Sequence, residues 1–459
     1  MRSHLILGIT LSACALSACV NLAPDYTRPA LPVPAQFAWG TDSPTHLQDP
    51  SLFFKDASLQ ALMALALQNN RDLRVAALSI DAAQAQLGVR QADLLPTFNV
   101  GVNGLRQTTL AGTTTSNYTT GLSVAAYELD LFQRLRNLSE VARGQLLASE
   151  QARQTVHISL LASVATTYLA WQSDAAQLDL TDKTLKTREE SVKLLQMRFD
   201  RGASSLLDLR SAQSLLESAR ITRAQLQRQK QLDENALILL VGQPLPVALR
   251  NPTSPDFRPA AIAELPVGLS SEVLLRRPDV AQAEFLLQAS NANIGAARAA
   301  FFPKISLTGS LGLASNDLTR LFKSGPTAWS FTPQILEPLF DAGRNESNLK
   351  LARVNREIAQ AQYEKAIQSA FKEVSDALTA RATLMEQWSA QKSLTQIEMD
   401  RVKLAQLRFQ QGSISYLDAL DAERAGFAAQ QALIQIETQY TQNMVTLYRA
   451  LGGGWAPAS

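Results

Sequence analysis

Cysteine is nearly absent from this chain of 459 residues, and both cysteines, Cys14 and Cys19, lie close to the N-terminus. The rest of the chain can therefore form neither a disulfide bond nor a thiolate metal site. Histidine is also scarce, and neither His46 nor His157 has neighbours at the spacing of metal ligands. The GxSxG motif of serine hydrolases and a phosphate-binding loop are both missing. These absences argue against an enzyme, a resident metal or any other bound cofactor.

Aromatic residues are few, at 6% of the chain, although hydrophobic residues make up 46%. The long segments are instead rich in Ala, Gln, Leu and Ser, which suit closely packed helices better than a large globular interior. The formal net charge is only +2, and basic residues are interspersed with acidic ones. This balance gives no electrostatic argument for nucleic acid as a partner.

Proline is absent from two long runs, Thr97–Gln243 and Leu339–Ala456. Proline breaks helix interiors at a cost of about 3 kcal/mol, so its absence permits long helices there. The proline-rich stretch Pro24–Pro50 is predicted to be an extended strap. A second proline-rich stretch, 242–269, is predicted to be a crossover linker between two halves of the chain.

The two halves resemble each other at an offset of 210 residues, from Lys193 to Lys403. The segment Lys193–Asp208 reads KLLQMRFDRGASSLLD, and Lys403–Asp418 reads KLAQLRFQQGSISYLD. Solenoid repeats are much shorter, with units of roughly 20–50 residues. The long offset therefore indicates a duplicated half, and the repeats are predicted at 58–241 and 270–451.

Each proline-free run contains apolar residues at spacings of three and four, as at Val354, Ile358 and Ala361. The runs predict helices over Arg134–Asp200 and Asn345–Gln411, each ~100 Å long at 1.5 Å per residue. A cytoplasmic coiled-coil spacer would show the same pattern.

Each long helix is followed by a glycine turn and a second helix, Ser205–Val241 or Ser415–Leu451. Gly202 and Gly412 fit the first position beyond a helix, and the serines that follow fit N-caps. The prediction is two antiparallel helical hairpins, 134–241 and 342–451.

Four segments alternate polar and apolar residues and are predicted strands, at about 97–105, 118–129, 305–313 and 327–336. Alternation over roughly 9–11 residues is typical of membrane β-strands. Polar loops are predicted at Arg106–Asn117 and Ala314–Pro326. Tyr118, Tyr127 and Trp329 lie near strand ends, as in an aromatic girdle, and ordinary packing of these residues is the alternative. Pro333 requires an edge strand or a strand end. Two small soluble hairpins are the alternative, but no apolar segment is available to cover them.

Four strands cannot close a barrel, and an open edge is not tolerated in hydrocarbon. Several protomers must then contribute strands to one barrel. Three protomers would supply twelve strands and two would supply eight; four are not excluded by this count.

The N-terminus resembles a secretion signal, with Arg2 before an apolar stretch, Leu5–Leu16, that is too short to span a bilayer. Leu16–Cys19 reads LSAC and resembles a bacterial lipobox, which predicts removal of residues 1–18 and a lipid anchor on Cys19. The same tetrapeptide ends at Cys14, where cleavage would leave a cramped apolar region. The alternative is that Cys19 lies in an ordinary leader. The absence of Asp directly after Cys19 favours the outer membrane.

Several motifs along the chain resemble those of the outer-membrane factors. They are PDYTRP at Pro24–Pro29, LLRRPDV at Leu274–Val280 with Ala283 and Glu284, AAFFPKI at Ala299–Ile305, PLFDAGR at Pro338–Arg344 and YRALGGGW at Tyr448–Trp455. Their order resembles the lipoprotein subgroup, often called NodT-type, of the TolC-like channels that serve resistance-nodulation-division efflux pumps. The resemblance covers the whole mature chain.

This resemblance implies a mainly α fold with a membrane β-barrel, in which each tandem repeat supplies two strands and a long helical hairpin. A homotrimer would form a twelve-stranded barrel and a periplasmic α-helical tunnel. A lipidated strap at 19–57 and a C-terminal tail at 452–459 complete the chain. The implied function is a passive duct in the outer membrane that exports small molecules. Its partners would be a periplasmic membrane-fusion adaptor, an inner-membrane resistance-nodulation-division pump and outer-membrane lipid.

In similar channels, an acid and an arginine three residues apart on the last helix help to close the periplasmic aperture. Asp421 and Arg424 match this pattern, with Asp418, Leu417 and Phe409 nearby, whereas the first repeat has Ser211 and Ser214. The alternative is a surface ion pair worth a few tenths of a kcal/mol. The turns would receive the adaptor; the predicted docking residues are Gly202, Ala203, Ser204, Gly412, Ser413 and Ile414.

Two other functions fit parts of the sequence. One is an outer-membrane channel for type I protein secretion, and the other is a structural outer-membrane lipoprotein that does not conduct. The lipobox and the RRPDV motif favour the efflux channel.

Overall fold

A computed structural model describes residues 20–37, 53–108, 110, 112–250, 270–324 and 326–453. The predicted signal peptide and Cys19 lie outside the described residues. So do residues 38–52 of the predicted strap, residues 251–269 of the predicted linker and the end of the C-terminal tail.

The order of elements in the second half of the chain follows that of the first half. The helices are α1 (Ala57–Asn69), α2 (Arg71–Ala92), α3 (Arg134–Asp200), α4 (Leu206–Val241), α5 (Pro278–Ala299), α6 (Leu318–Ser324), α7 (Arg344–Gln410) and α8 (Tyr416–Ala450). The strands are β1 (Phe98–Thr108), β2 (Thr114–Leu129), β3 (Lys304–Ser315) and β4 (Thr327–Leu336), and 3₁₀ turns occupy Val247–Leu249 and Ser271–Arg276. Each half thus contains a helix, two strands and a long helical hairpin, α3–α4 or α7–α8, as the repeat predicts.

The four strands form one antiparallel sheet in the order β1-β2-β3-β4. The register aligns Val100 with Leu122, and Leu122 with Leu311. Leu311 in turn lies opposite Trp329. These residues give the sheet one apolar face, and that face is open: Val100 is 81% exposed and Trp329 is 74% exposed.

The opposite face of the sheet carries small polar residues. Asn99 lies opposite Ser123, and Ser123 lies opposite Ser310. Ser310 pairs in turn with Ser330, and their hydroxyl oxygens are 2.7 Å apart. Strands β1 and β4 are the two edges of the sheet within one chain, and Pro333 lies on β4, three residues before its end at Leu336.

The loops between strands differ from the prediction in two places. Most of the predicted loop Arg106–Asn117 is strand, because pairing continues to Thr108 opposite Thr114. Threonine is β-branched and favours an extended backbone. The sequence pattern indicates a loop here only because threonine is also polar. The predicted loop Ala314–Pro326 contains α6. Asp317 accepts a hydrogen bond from the Thr319 N–H at 2.9 Å at the start of α6, and Leu321 on this helix is fully buried.

The chain divides into two compact units, and each unit contains segments of both repeats. The first comprises Met1–Ala30, Leu78–Gln151 and Ala281–Ala366, and it contains the sheet. The second comprises Leu31–Ala77, Ala152–Val280 and Ile367–Ser459, and it contains both hairpin turns. The compact units do not coincide with the two sequence repeats, so the repeat boundaries 58–241 and 270–451 remain a prediction.

In the first unit, the strap is held to α5 by hydrogen bonds to its backbone carbonyls. Asn291 Nδ2 donates to Pro24 O at 2.6 Å, and Arg298 Nη1 donates to Leu22 O at 2.9 Å. These contacts give an extended, proline-containing segment the hydrogen-bond partners that it cannot find within itself.

In the second unit, the core contains the aromatic residues Phe53, Phe54 and Tyr448. The Phe53 and Tyr448 rings stack with their centroids 4.4 Å apart. Arg277 of the RRPDV motif donates to Ala450 O at 2.6 Å and forms an ion pair with Glu373 at 2.9 Å. The motif therefore fixes the end of α8. Within the described part of the chain, none of the helices combines the length and apolar character needed to cross a membrane.

Candidate functional site

The two hairpin turns have the same backbone conformation. Gly202 has φ +70° and Gly412 has φ +74°, a left-handed conformation that glycine adopts without strain. Gly202 N–H donates to Phe199 O, and Ala203 N–H donates to Arg198 O. Gly412 and Ser413 make the equivalent bonds to Phe409 and Arg408. This is the Schellman arrangement, so each glycine ends a long helix as the sequence predicted.

A capping box starts the second helix of each hairpin. Asp208 N–H donates to Ser205 Oγ at 3.0 Å, while Ser205 N–H donates to Asp208 Oδ2 at 3.3 Å. Ser415 and Asp418 form the same reciprocal pair, with both distances 3.2 Å. The Asp418 carboxylate, a predicted aperture residue, is therefore bound at the N-terminus of its own helix.

The predicted docking residues form an accessible surface within this chain. Gly202, Ala203, Gly412 and Ser413 are exposed, whereas Ser204 and Ile414 are half-buried. A Cβ atom added at either glycine would meet no atom within 4 Å. Substitution of these glycines is therefore limited by backbone conformation and not by space.

Asp421 does not pair with Arg424 in the structure. Its carboxylate instead accepts a hydrogen bond from Arg401 Nη2 on α7 at 2.6 Å, while 68% of its side chain remains exposed. Arg401 Nη1 also lies 3.1 Å from Glu398 Oε2. Arg424 is exposed, and it has no hydrogen-bond or ion-pair partner among the residues that the structure describes.

Arg401 is a residue that sequence reasoning missed. The turn lies between Gln410 and Tyr416, and Arg401 and Asp421 face each other across the hairpin from α7 and α8. The register of the hairpin decides which residues of α7 and α8 face each other, and no local sequence motif indicates this pair.

The other two predicted aperture residues differ in their environments. Leu417 is 47% exposed. Phe409 packs against Tyr416, and the guanidinium of Arg198 lies 5.3 Å from the Phe409 ring centroid. Because Arg198 belongs to α3, Phe409 joins the two hairpins of one protomer.

A second junction between the hairpins surrounds Tyr416. This residue packs against a cluster of buried residues from the first hairpin, which contains Leu195, Leu209 and Ala212. Burial, with a smaller effect from Glu423, raises the pKa of Tyr416 to about 12. The turn ends of the two hairpins are thus joined by apolar and aromatic contacts, and the charged side chains Asp421 and Arg424 lie exposed beside them.

Comparisons with known proteins agree with this architecture. The family model described as "Outer membrane efflux protein" matches residues 62–243 and 269–453. The antibiotic efflux pump outer membrane protein ArpC of Pseudomonas putida is 45% identical over 98% of this chain and 96% of its own length. The toluene efflux pump outer membrane protein TtgC, also of Pseudomonas putida, has the same identity and coverage.

The solved structures include close matches to the fold. The open state of the Neisseria gonorrhoeae MtrE outer membrane channel is 37% identical, with a TM-score of 0.86 over 95% of this chain and 98% of that chain. The family match covers most of both repeats, and the relatives align over nearly their full length. This chain therefore belongs to the outer membrane efflux protein family and is an outer-membrane channel of an efflux pump.

Proposed function

We propose that three copies of this chain form one passive duct through the outer membrane, with twelve strands in the barrel and six helical hairpins in the periplasmic tunnel. The observation that carries this proposal is the four-stranded sheet, which has two edges and an exposed apolar face. In hydrocarbon each edge needs a partner strand, and β4 of one protomer can pair with β1 of the next. The apolar face then contacts lipid, and the face with Asn99 and Ser123 lines a water-filled lumen.

The partners that we propose are a periplasmic membrane-fusion adaptor and an inner-membrane resistance-nodulation-division pump. The duct carries no nucleotide-binding motif, so the energy for transport comes from the pump. The exposed turns around Gly202 and Gly412 are the proposed contact for the helical tip of the adaptor. Their matched backbone conformation offers six similar sites in a trimer.

The proposed cargo is small organic molecules, including antibiotics and aromatic solvents. This proposal follows the names of two relatives, one an antibiotic efflux pump component and the other a toluene efflux pump component. A polar lumen is compatible with such breadth, because a duct need not bind its cargo.

Closure of the duct is proposed to occur at the level of Asp421 and Arg424. Three copies of each would form charged rings around a three-fold axis, with Leu417 narrowing the same level. Arg401 fixes the direction of the Asp421 carboxylate through their 2.6 Å contact. Asp418 supports this face by capping α8, and Phe409 supports it by packing between the hairpins.

The membrane attachment that we propose has a second component, a lipid on Cys19. The strap that follows, from Val20, is bound to α5 through Leu22 and Pro24. A lipid at Cys19 would therefore be tethered to the protein by only a few residues of chain.

The proposed function is tested by deleting the gene and measuring susceptibility to antibiotics and toluene, with the wild-type gene restored as a control. Loss of resistance that the restored gene recovers supports the efflux duct. Unchanged susceptibility together with loss of a secreted protein would instead identify a type I secretion channel. Cross-linking of the purified protein should give trimers, and a monomer would contradict the proposed barrel.

A further inference from the structure

Arg188, on α3 of the first hairpin, is a buried cation at the junction with the second hairpin. It is only 8% exposed. Its Nη1 donates to Leu215 O on α4 at 2.8 Å, and its Cζ lies 5.1 Å from the ring centroid of Phe427 on α8. Within the described residues it forms no ion pair with a carboxylate. A cation removed from water is costly without such a partner, so the carbonyl and the ring are its main stabilising contacts.

Two neighbouring charges on α8 act on Arg188 in opposite directions. Burial lowers the pKa of Arg188; of the two α8 charges, Glu423 raises it and Arg424 lowers it. The Glu423 carboxylate is itself engaged by Gln406 Nε2 at 3.0 Å. Arg188 therefore repels Arg424, while the Glu423 charge and the Phe427 ring attract it to α8, and this favours the exposed position of Arg424 away from the first hairpin.

The repeat shows that this contact is specific to one hairpin. The offset of 210 residues places Glu398 at the position equivalent to Arg188, and Glu217 at the position equivalent to Phe427. Glu398 contacts Arg401, which in turn binds Asp421. A residue needed only to pair the two helices of a hairpin would be expected in both halves. Arg188 instead contacts the Phe427 ring on α8, and the second hairpin has no equivalent contact at Glu398.

We propose that Arg188 is a positioning residue for the aperture, which holds α8 against the first hairpin and sets the direction in which Asp421 and Arg424 project. This inference rests on the proposed closure of the duct by those two residues. Movement of α8 away from the first hairpin separates Phe427 from the Arg188 guanidinium. Loss of the contact therefore favours the open aperture without removing a residue that lines it.

The test uses the full-length trimer in planar lipid bilayers, with open probability as the readout. Arg188→Met keeps the length and apolar character of the side chain, and Phe427→Leu removes the ring from the other side of the contact. For each we expect a rise in open probability of about tenfold, equivalent to about 1.4 kcal/mol. Arg188→Lys retains the cation, so its open probability should stay close to that of the wild type. Arg220→Met is the matched control, since Arg220 is an exposed arginine of α4 that pairs with Glu189 and Glu217.

Unchanged open probability in Arg188→Met, with trimers intact on gels, would overturn the proposal, and so would an equal rise in Arg220→Met. If Arg188→Met fails to assemble, Phe427→Leu decides in the same way. Replacing both Asp421 and Arg424 with Ala separates the two proposals. If that change opens the duct and Arg188→Met does not, only the positioning role fails; if it has no effect, the proposed closure fails as well. Adding Arg188→Met to the double variant should give less than the sum of the separate effects, because the same face is altered.

Discussion

Arg28 on the strap donates two hydrogen bonds to Glu284 on α5, from Nε to Oε1 at 2.8 Å and from Nη2 to Oε2 at 2.9 Å. Tyr26 donates a third bond to the same carboxylate at 3.1 Å. Arg28 lies near the end of the PDYTRP segment and Glu284 ends the RRPDV-containing segment. Two motifs that are far apart in the sequence thus form one contact, which holds the strap in place.

Loss of this contact should destabilise the strap. Arg28→Ala leaves the nearly buried Glu284 carboxylate with only Tyr26, and we expect a loss of about 1–2 kcal/mol, limited by the solvent exposure of Arg28. Limited proteolysis of the strap and thermal unfolding would measure it. Arg90→Ala, which removes an exposed pair with Asp93, is the control and should have little effect. If Arg28→Ala and Arg90→Ala are equally sensitive to proteolysis and heat, the contact between Arg28 and Glu284 does not hold the strap in place.

Two facing carboxyl groups make stability depend on pH. Asp174 on α3 faces Asp233 on α4. Burial and this neighbouring carboxyl group raise the pKa of Asp174 to about 7. Between its ordinary value near 4 and about 7, the folded protein binds more protons than the unfolded chain, so stability should fall as pH rises, by at most about 1.4 kcal/mol per pH unit.

Asp174→Asn should abolish this dependence and make the protein more stable than wild type at pH 8. Urea unfolding from pH 4 to pH 8 would measure the change. Asp182→Asn, which removes an exposed partner of Arg223 on the same pair of helices, provides the comparison. Parallel pH profiles for wild type and Asp174→Asn would refute the prediction.

Conductance should report the proposed closure at Asp421 and Arg424. Replacing both residues with Ala removes two charged rings and should raise single-channel conductance in planar bilayers. Arg401→Ala should act in the same direction but less strongly, because it only frees the Asp421 carboxylate. Ser211→Ala and Ser214→Ala, at the equivalent positions of the first repeat, are the controls. If the double Ala variant has the same conductance as the wild type, Asp421 and Arg424 do not close the duct.

Large side chains introduced at the two hairpin turns should impair docking of the adaptor. Ala203→Trp and Ser413→Trp add a large side chain at exposed positions next to the helix-ending glycines, so they should reduce cross-linking to the adaptor while trimers persist. Gly202→Asn is the control, because Asn tolerates the left-handed conformation and preserves the turn. Normal cross-linking in both Trp variants would show that the turns only end helices.

Lipid attachment should depend on Cys19 alone. Cys19→Ser should abolish incorporation of a labelled fatty acid, whereas Cys14→Ser should leave it intact. Labelling that survives in Cys19→Ser and disappears in Cys14→Ser would move the anchor to the earlier cysteine.

Much of the fold follows from local patterns in the sequence. The absence of proline and the spacing of apolar residues predict α3 at its observed bounds, and Gly202 and Gly412 predict the turns because a left-handed residue is a local requirement. The sequence predicts only residues 118–129 of the strand Thr114–Leu129, because polar threonines resemble a loop when their pairing partners are unknown. The Asp421 contact with Arg401 depends on the hairpin register, and the Arg188 contact with Phe427 depends on packing between hairpins. Neither property is encoded by neighbouring residues.

The difference between Arg188 and Glu398 has a consequence for how such a chain can evolve. A ring built from identical half-length chains would carry every substitution at all of its equivalent positions, so an arginine introduced at one junction would appear at each of them. Fusion of two halves in one gene removes this constraint. One copy can acquire a basic residue and the other an acidic one, while Asp208 and Asp418 keep the same role in both. Gene duplication thereby allows an alternating pattern of charge that a simple repeat of one half could not inherit.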